Sequence, residues 1–488
     1  MVREALAQAI SAGDMKLALK LVGSLPAAST PIEARMLQVA EALRSNDNKL
    51  ALALLRQPTE AGDVGFAGPF LEAWVEADAG NEAKAIAALD GVAPNNLLAA
   101  LEPENRALIL IKFRRTAQAQ PFIDQALKGG GIRSLRMRLA FADALVAAGD
   151  KDRAQTILQG LNRGAAPAAE KVLQGKSSSI RIDNSRRAFA ELLDFIAVEF
   201  DRMRNEKLPV SFAQVARYAA PESSATAHTL GLMLGQRGRA DEAIGVLRGI
   251  PAADPLAAQA RDTEVRSLVS ADRDTEALQV AQKSASAANA GVSDYARLGD
   301  VLSNLKRYEE SAVAYNRAVQ MLGPNAKPEE RWPLLFLEAT SLEEANHWPE
   351  TRDLLGQALA LAPDQPIILN FLGYAKLERG EDLDTAEAMI RKASALAPDD
   401  ASITDSLGWA VFKRGRTKEA IEILTRAAKG DPAQAEIHEH LGDALYKAGN
   451  KFEARYSWSA ALITAENDDA VRLKAKLDNG LTPATAAP

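Results

Sequence analysis

Along the whole chain, apolar residues recur at steps of three and four, in runs broken by short polar turns, the pattern of amphipathic helices. Between Arg186 and Arg204, for example, Phe189, Leu192, Leu193, Ile196 and Phe200 fall on one face. Strand-like alternation and β-branched runs are scarce, so the pattern predicts an all-helical chain. Breaks such as Lys413-Arg414-Gly415-Arg416 and Lys447-Ala448-Gly449-Asn450 put glycine where a helix end turns left-handed.

The helices repeat. Gly373, Gly408 and Gly442, then Ala386, Ala420 and Ala454, then Ala393, Ala427 and Ala461, recur at one regular spacing, and Pro398 and Pro432 close their units. The spacing, about 34 residues, is the period of the tetratricopeptide repeat, two antiparallel helices per unit. Gly408 sits inside a helix, where glycine costs up to about 1 kcal/mol against alanine. A second helix crossing at close range explains it, with Ala420 facing and Leu424 beside it. The register runs upstream through Ala339 with Thr351, Gly299 with Ser311, Val265 with Ala277 and Gly231 with Ala243. It then passes through Ala142 with Ala154, Ala107 with Ala119, Ala73 with Ala85, Val39 with Ala51 and, loosely, Leu6 with Ala18. The count is about twelve units. The predicted fold is a right-handed superhelix of antiparallel helix pairs, a tetratricopeptide-repeat solenoid.

Residues 162–185 break the period with Gly, Ala and Ser, and a long and a short helix follow. The organisation predicted is degenerate repeats over 1–161 and an irregular connection over 162–222. Middle repeats follow over 223–327, regular repeats over 328–468, and a capping helix with a flexible tail over 469–488.

The segments Leu369-Asn370-Phe371-Leu372-Gly373-Tyr374, Ile403-Thr404-Asp405-Ser406-Leu407-Gly408-Trp409 and His440-Leu441-Gly442-Asp443-Ala444 resemble the C-terminal block of a widespread family of bacterial tetratricopeptide proteins. The resemblance implies export, sometimes as outer-membrane lipoproteins, and one related group are adaptors of carboxyl-terminal processing proteases. The chain has no cysteine to carry a lipid, and its start reads as a helix. The expectation is a cytoplasmic protein as the chain stands, or a periplasmic one if a leader has been removed.

In folds of this kind, first-helix positions just after the small residue, and one turn further, line an inner groove. They are Tyr374 and Leu377, Trp409 and Phe412, Asp443 and Tyr446, with Lys413 and Lys447 alongside. An aromatic strip edged by charge suits an extended peptide or a partner helix. Phe412 and Tyr446 equally fit a packing role against the neighbouring repeat, and Trp74 sits on the groove side of the N-terminal block. Trp348 and Trp458 fall at core positions.

Composition changes this picture little. Aromatics are 5% and charged residues 25% of the chain, and the net charge is -7, so nothing attracts nucleic acid or anionic lipid as a whole. Between Arg106 and Arg138, however, basic residues including Arg114, Arg115, Arg133 and Arg136 face Asp124 alone within the window. They read either as a patch for an acidic partner or as ordinary solvated surface. No apolar run approaches the ~18 residues of a membrane span. His438 and His440 lack metal-pair spacing, Gly129-Gly130-Gly131-Ile132-Arg133-Ser134 lacks a phosphate-loop ending, and no nucleophile elbow occurs. The expectation is a non-enzymatic scaffold or adaptor for a protein or peptide, with no metal or cofactor. The alternative is a scaffold that self-associates or is tethered to an envelope.

Overall fold

The structure, a computed structural model, describes residues 1–60, 64–96, 98–128, 131–159, 161, 165–176, 178–288 and 290–487. Part of the break read at 162–185 (162–164 and 177) and the first two residues of the glycine run at 129–134 lie outside the described residues. The chain forms two compact units, Met1–Leu305 and Lys306–Pro488.

The first unit opens with five helix hairpins: α1 (Val2–Ser11) with α2 (Met15–Val22), α3 (Ile32–Arg44) with α4 (Asn48–Leu55), α5 (Gly68–Asp78) with α6 (Glu82–Asp90), α7 (Glu102–Lys112) with α8 (Thr116–Ala126), and α9 (Gly131–Ala148) with α10 (Lys151–Leu158). Then come α11 (Ala166–Leu173), α12 (Ser185–Arg202) and α13 (Leu208–Ala219). Further hairpins follow: α14 (Ser224–Gly235) with α15 (Ala240–Arg248), and α16 (Ala257–Val269) with α17 (Asp274–Ala285), before α18 (Val292–Asn304). In the second unit α19 (Tyr308–Leu322) packs on α20 (Pro328–Glu344), which pairs with α21 (Trp348–Leu361). The regular hairpins are α22 (Pro366–Glu378) with α23 (Leu383–Leu396), α24 (Ala401–Lys413) with α25 (Thr417–Gly430), and α26 (Ala435–Lys447) with α27 (Lys451–Thr464); α28 (Asn467–Asn479) closes the stack.

A left-handed backbone residue marks the turn inside each repeat. Gly13, Asn46, Gly80, Arg114 and Gly149 form one series, and Gly238, Asp272, Lys306, Asn346, Gly380, Gly415 and Gly449 a second. Both series keep close to the repeat period except for the longer step from Lys306 to Asn346. Several turns feed directly into a capped helix, because an aspartate at the turn can take up an N–H that the helix leaves free. The Asp14 carboxylate accepts the main-chain N–H of Leu17 at 3.0 Å. Asp47 does the same for Leu50 at 2.9 Å, and Asp150 for Arg153 at 3.2 Å. The repeat's small positions are buried, among them Val39, Ala51, Ala107, Ala119, Ala339, Ala420 and Ala454 at 0% exposure. A Cβ on Gly408 would stand 2.6 Å from Leu424, so the close helix approach read from the sequence requires glycine there.

The irregular stretch is not a mere connection. Helix α12 packs on α3 and α5, and α13 on α1 and α3, all first helices of their hairpins. The Tyr218 hydroxyl donates to Glu41 at 2.6 Å, Arg44 donates to the Tyr218 carbonyl at 2.7 Å, and the Ser185 N–H donates to Asp78 at 2.8 Å. The α12–α13 hairpin thus fills the first-helix face of the N-terminal repeats, where a groove would otherwise lie. Trp74 accordingly is not a groove residue: it is 1% exposed and donates through Nε1 to Asn105 at 2.7 Å.

Candidate functional site

The sequence places a groove along the first helices of the last repeats. In the second unit those helices, α22, α24, α26 and α28, carry a polar seam through the apolar stack. Asn370 donates to Ser406 at 3.2 Å. One repeat later Asp405 meets His440 Nδ1 at 2.8 Å, both residues being buried. Glu439 then accepts from Arg472 at 2.7 and 2.8 Å and from Lys476 at 2.6 Å. Asp443 accepts from Lys476 at 2.7 and 2.8 Å and from Trp458 Nε1 at 2.9 Å. Because Asp405 and Trp409, like Glu439 and Asp443, are one helical turn apart, the seam stays on one face from repeat to repeat.

Burial shifts the protonation of these groups, and their partners decide the direction. Burial alone pulls the His440 imidazole down, but the Asp405 carboxylate beside it, with Glu436 and Asp443, outweighs this and holds its pKa above the ordinary value. Burial raises the Asp443 carboxyl against the opposing pull of Lys476 and the N–H groups it accepts from. Glu439 goes the other way: Arg472 and Lys476 keep it below the usual range despite burial.

A further partner of Asp443 is the chain itself. After α28, Gly480 turns left-handed at φ +79°. The Thr482 and Thr485 N–H groups and hydroxyls then close a turn through Pro483. The segment runs back so that the Ala487 N–H donates to Asp443 at 3.0 Å. Ala487 is 5% exposed and belongs to the apolar cluster of Leu377, Trp409, Ile437 and Leu441. Where the sequence predicts a flexible tail, residues 480–487 are held by these bonds.

The predicted groove residues separate into two kinds. Leu377 and Trp409 are buried, because the Trp409 ring stacks on His440 with centroids 4.0 Å apart and on Phe412 at 5.0 Å. Asp443 is buried within the seam. These three are interior residues rather than open lining. Tyr374, Phe412 and Tyr446 are half-buried, and Lys413 and Lys447 are exposed beside them. Tyr446 packs on Trp458 at 5.4 Å, with its hydroxyl against Gly480. Trp458 is wholly buried, while Trp348 is only half-buried under the Arg379 guanidinium, 4.3 Å from its ring centroid.

Three of the four arginines named in the basic stretch are paired with carboxylates from elsewhere. Arg115 pairs with Glu82 at 3.1 Å, and Arg133 with Glu104 and, at 3.6 Å, with Glu191. Arg136 pairs with Glu191 and lies 3.6 Å from Asp194. Burial pushes Asp194 up to about 7 against the attraction of Arg136. Arg133 and Arg136 are therefore parts of an internal ion cluster, and Arg114 is a turn residue with left-handed backbone. The acidic partners lie outside the sequence window that suggested a patch.

Family models for the tetratricopeptide repeat match residues 408–449, 336–404 and 295–321. No curated protein matches the chain. Among solved structures it is similar to the APC/C hetero-tetramer Cut9–Hcn1, with 14% identity over 93% of this chain and 97% of that one and a TM-score of 0.43. Yeast Tom70 is similar at 12% identity over 92% and 95%, with a TM-score of 0.40. YrrB, a tetratricopeptide-repeat protein with an unusual peptide-binding site, is similar at 15% over 40% and 98%, with a TM-score of 0.31. The described residues fold as helices paired into hairpins, and the segments within 295–449 carry tetratricopeptide repeats.

Among the described residues no helix is long and apolar enough to cross a membrane, and no group of three or more His, Asp or Glu side chains is placed to hold a metal ion.

Proposed function

We propose that the chain is a non-catalytic adaptor that holds an extended segment of a partner protein along the first-helix face of α22, α24 and α26. The observation that carries this reading is the Ala487 N–H on Asp443, which shows main chain already donating to that face. Two features support it. The half-buried rings of Tyr374 and Phe412 offer contact area at small entropic cost, and Lys413 and Lys447 add charge at the edge.

The test is selection of displayed random octapeptides on the chain lacking residues 481–488. Enriched peptides should bind about tenfold more weakly to Tyr374→Ala and Phe412→Ala, the scale of one lost contact residue. Failure to enrich any peptide, or binders indifferent to both substitutions, would refute the groove.

A second reading, self-association, rests on a different observation. On α27, Phe452, Tyr456 and Ile463 are 79%, 75% and 83% exposed on one face. One repeat earlier the same positions are Lys418, Glu422 and Lys429. Large apolar side chains grouped on a surface mark contact sites. If a second copy covers them, the parent chain should sediment as a dimer at micromolar concentration and Phe452→Glu with Tyr456→Glu as a monomer. A monomeric parent at that concentration removes this reading.

A further inference from the structure

The segment after α28 makes the kind of contact that the proposed groove would offer a partner. Leu481 is half-buried beside Trp458 and Leu473, anchoring the start. The turn closed by Thr482 and Thr485 reverses the chain, with Pro483 setting its direction. Pro483, Ala484 and Ala486 are exposed, and Ala487 alone enters the apolar cluster. The far end is held by one methyl group and one main-chain hydrogen bond to a carboxylate.

Such a hold is specific yet weak. A main-chain N–H on a carboxylate is indifferent to the donor's side chain, while the packed cluster around Ala487 admits only a small side chain at that place. Its persistence depends on tethering, since a short connection supplies an effective concentration in the millimolar range. A longer partner segment that adds contacts on Tyr374 and Phe412 would outcompete it.

Resting on the groove reading above, we infer that residues 481–487 are a self-ligand of the groove. The partner is then an extended segment with a small residue, of alanine size, whose N–H takes the place of Ala487 on Asp443. Binding the partner releases the self-ligand, so the free protein presents a closed groove. Asp443 takes part in both states: it is fixed by Lys476 and Trp458 before either ligand arrives, and its remaining acceptor capacity is what they share.

The test uses the synthetic octapeptide of residues 481–488 as the probe, titrated into the millimolar range. The chain lacking 481–488 should bind it saturably, and the full chain about tenfold more weakly, because its own segment competes. N-methylation at the Ala487 position, which deletes the donor, and leucine at that position, which overfills the cluster, should each weaken binding about tenfold or more. Equal binding to the two chains, or indifference to both changes, overturns the inference. If peptides from the random selection bind the shortened chain but this octapeptide does not, the self-ligand falls and the groove stands. If neither kind binds, both fall.

Discussion

Replacing Lys476 by alanine is expected to lower the unfolding free energy of the second unit by about 3–5 kcal/mol, the loss typical of removing one partner from a buried ion pair. The Lys476 side chain is 0% exposed, and its ammonium lies 2.6 Å from Glu439 and 2.7 Å from Asp443. Without it two carboxylates one turn apart on α26 would share a buried site, with only Arg472 left on Glu439. One of them would have to take up a proton or draw in water, and either change weakens the α26–α28 contact. The loss should read out as a lower urea midpoint. The charge, rather than the volume, is responsible, so Lys476→Met alone should be nearly as damaging. Combining it with Glu439→Gln and Asp443→Asn should recover much of the loss, as apolar or neutral replacement of a whole buried network often does. An alanine variant within about 1 kcal/mol of the parent would mean that the ammonium is not the central element of the seam.

The repeat was legible because its determinants are local. A small residue where two helices cross and a left-handed residue at the turn are set by their own hairpin, so Gly408 with Leu424 and Gly415 could be read directly. The occupants of the first-helix faces were not legible. Whether α12 and α13 lie on α1, α3 and α5 depends on contacts between residues such as Tyr218 and Glu41, 177 positions apart. The same holds for Ala487 on Asp443, since alanine in a stretch of Thr, Pro and Ala carries no hydrophobic period of its own.

The partners of the basic stretch escape a local window for a more specific reason, and there is a remedy. Many ion pairs join neighbouring repeats and so fall close to one period apart: Lys112 with Asp78 at 34 residues, Arg115 with Glu82 at 33, Arg472 with Glu439 at 33, His440 with Asp405 at 35. A window confined to Arg106–Arg138 excludes the carboxylates one repeat upstream. In a solenoid the neighbour in space is the neighbour in register, because each repeat packs chiefly on the next. Charges should therefore be paired at the repeat spacing before a patch is inferred. Arg133 and Arg136 would have needed still more, since Glu191 and Asp194 lie on the inserted α12 and obey no repeat spacing.

The same distinction between register and surroundings governs Trp409, and it gives the second large effect. From register alone, Trp409→Ala should abolish partner capture and leave the fold intact. From the structure it should destabilise the second unit by about 3–5 kcal/mol, the usual range for truncating a buried aromatic. The ring is 1% exposed, lies nearly parallel to His440 with an 11° interplanar angle, and covers the buried His440–Asp405 pair. Truncation would open a cavity beside that pair and admit water to it, so packing and electrostatic losses add. Tyr374→Ala and Phe412→Ala remove half-buried rings and should cost distinctly less, which is why they, and not Trp409→Ala, serve to test binding. Thermal unfolding of the three variants separates the cases: Trp409→Ala should melt lower than the other two by several degrees, at roughly 2–4 °C per kcal/mol for a unit of this size. If all three melt together near the parent, Trp409 is groove surface after all. Its position one turn from Asp405 would then place it in direct contact with a bound segment.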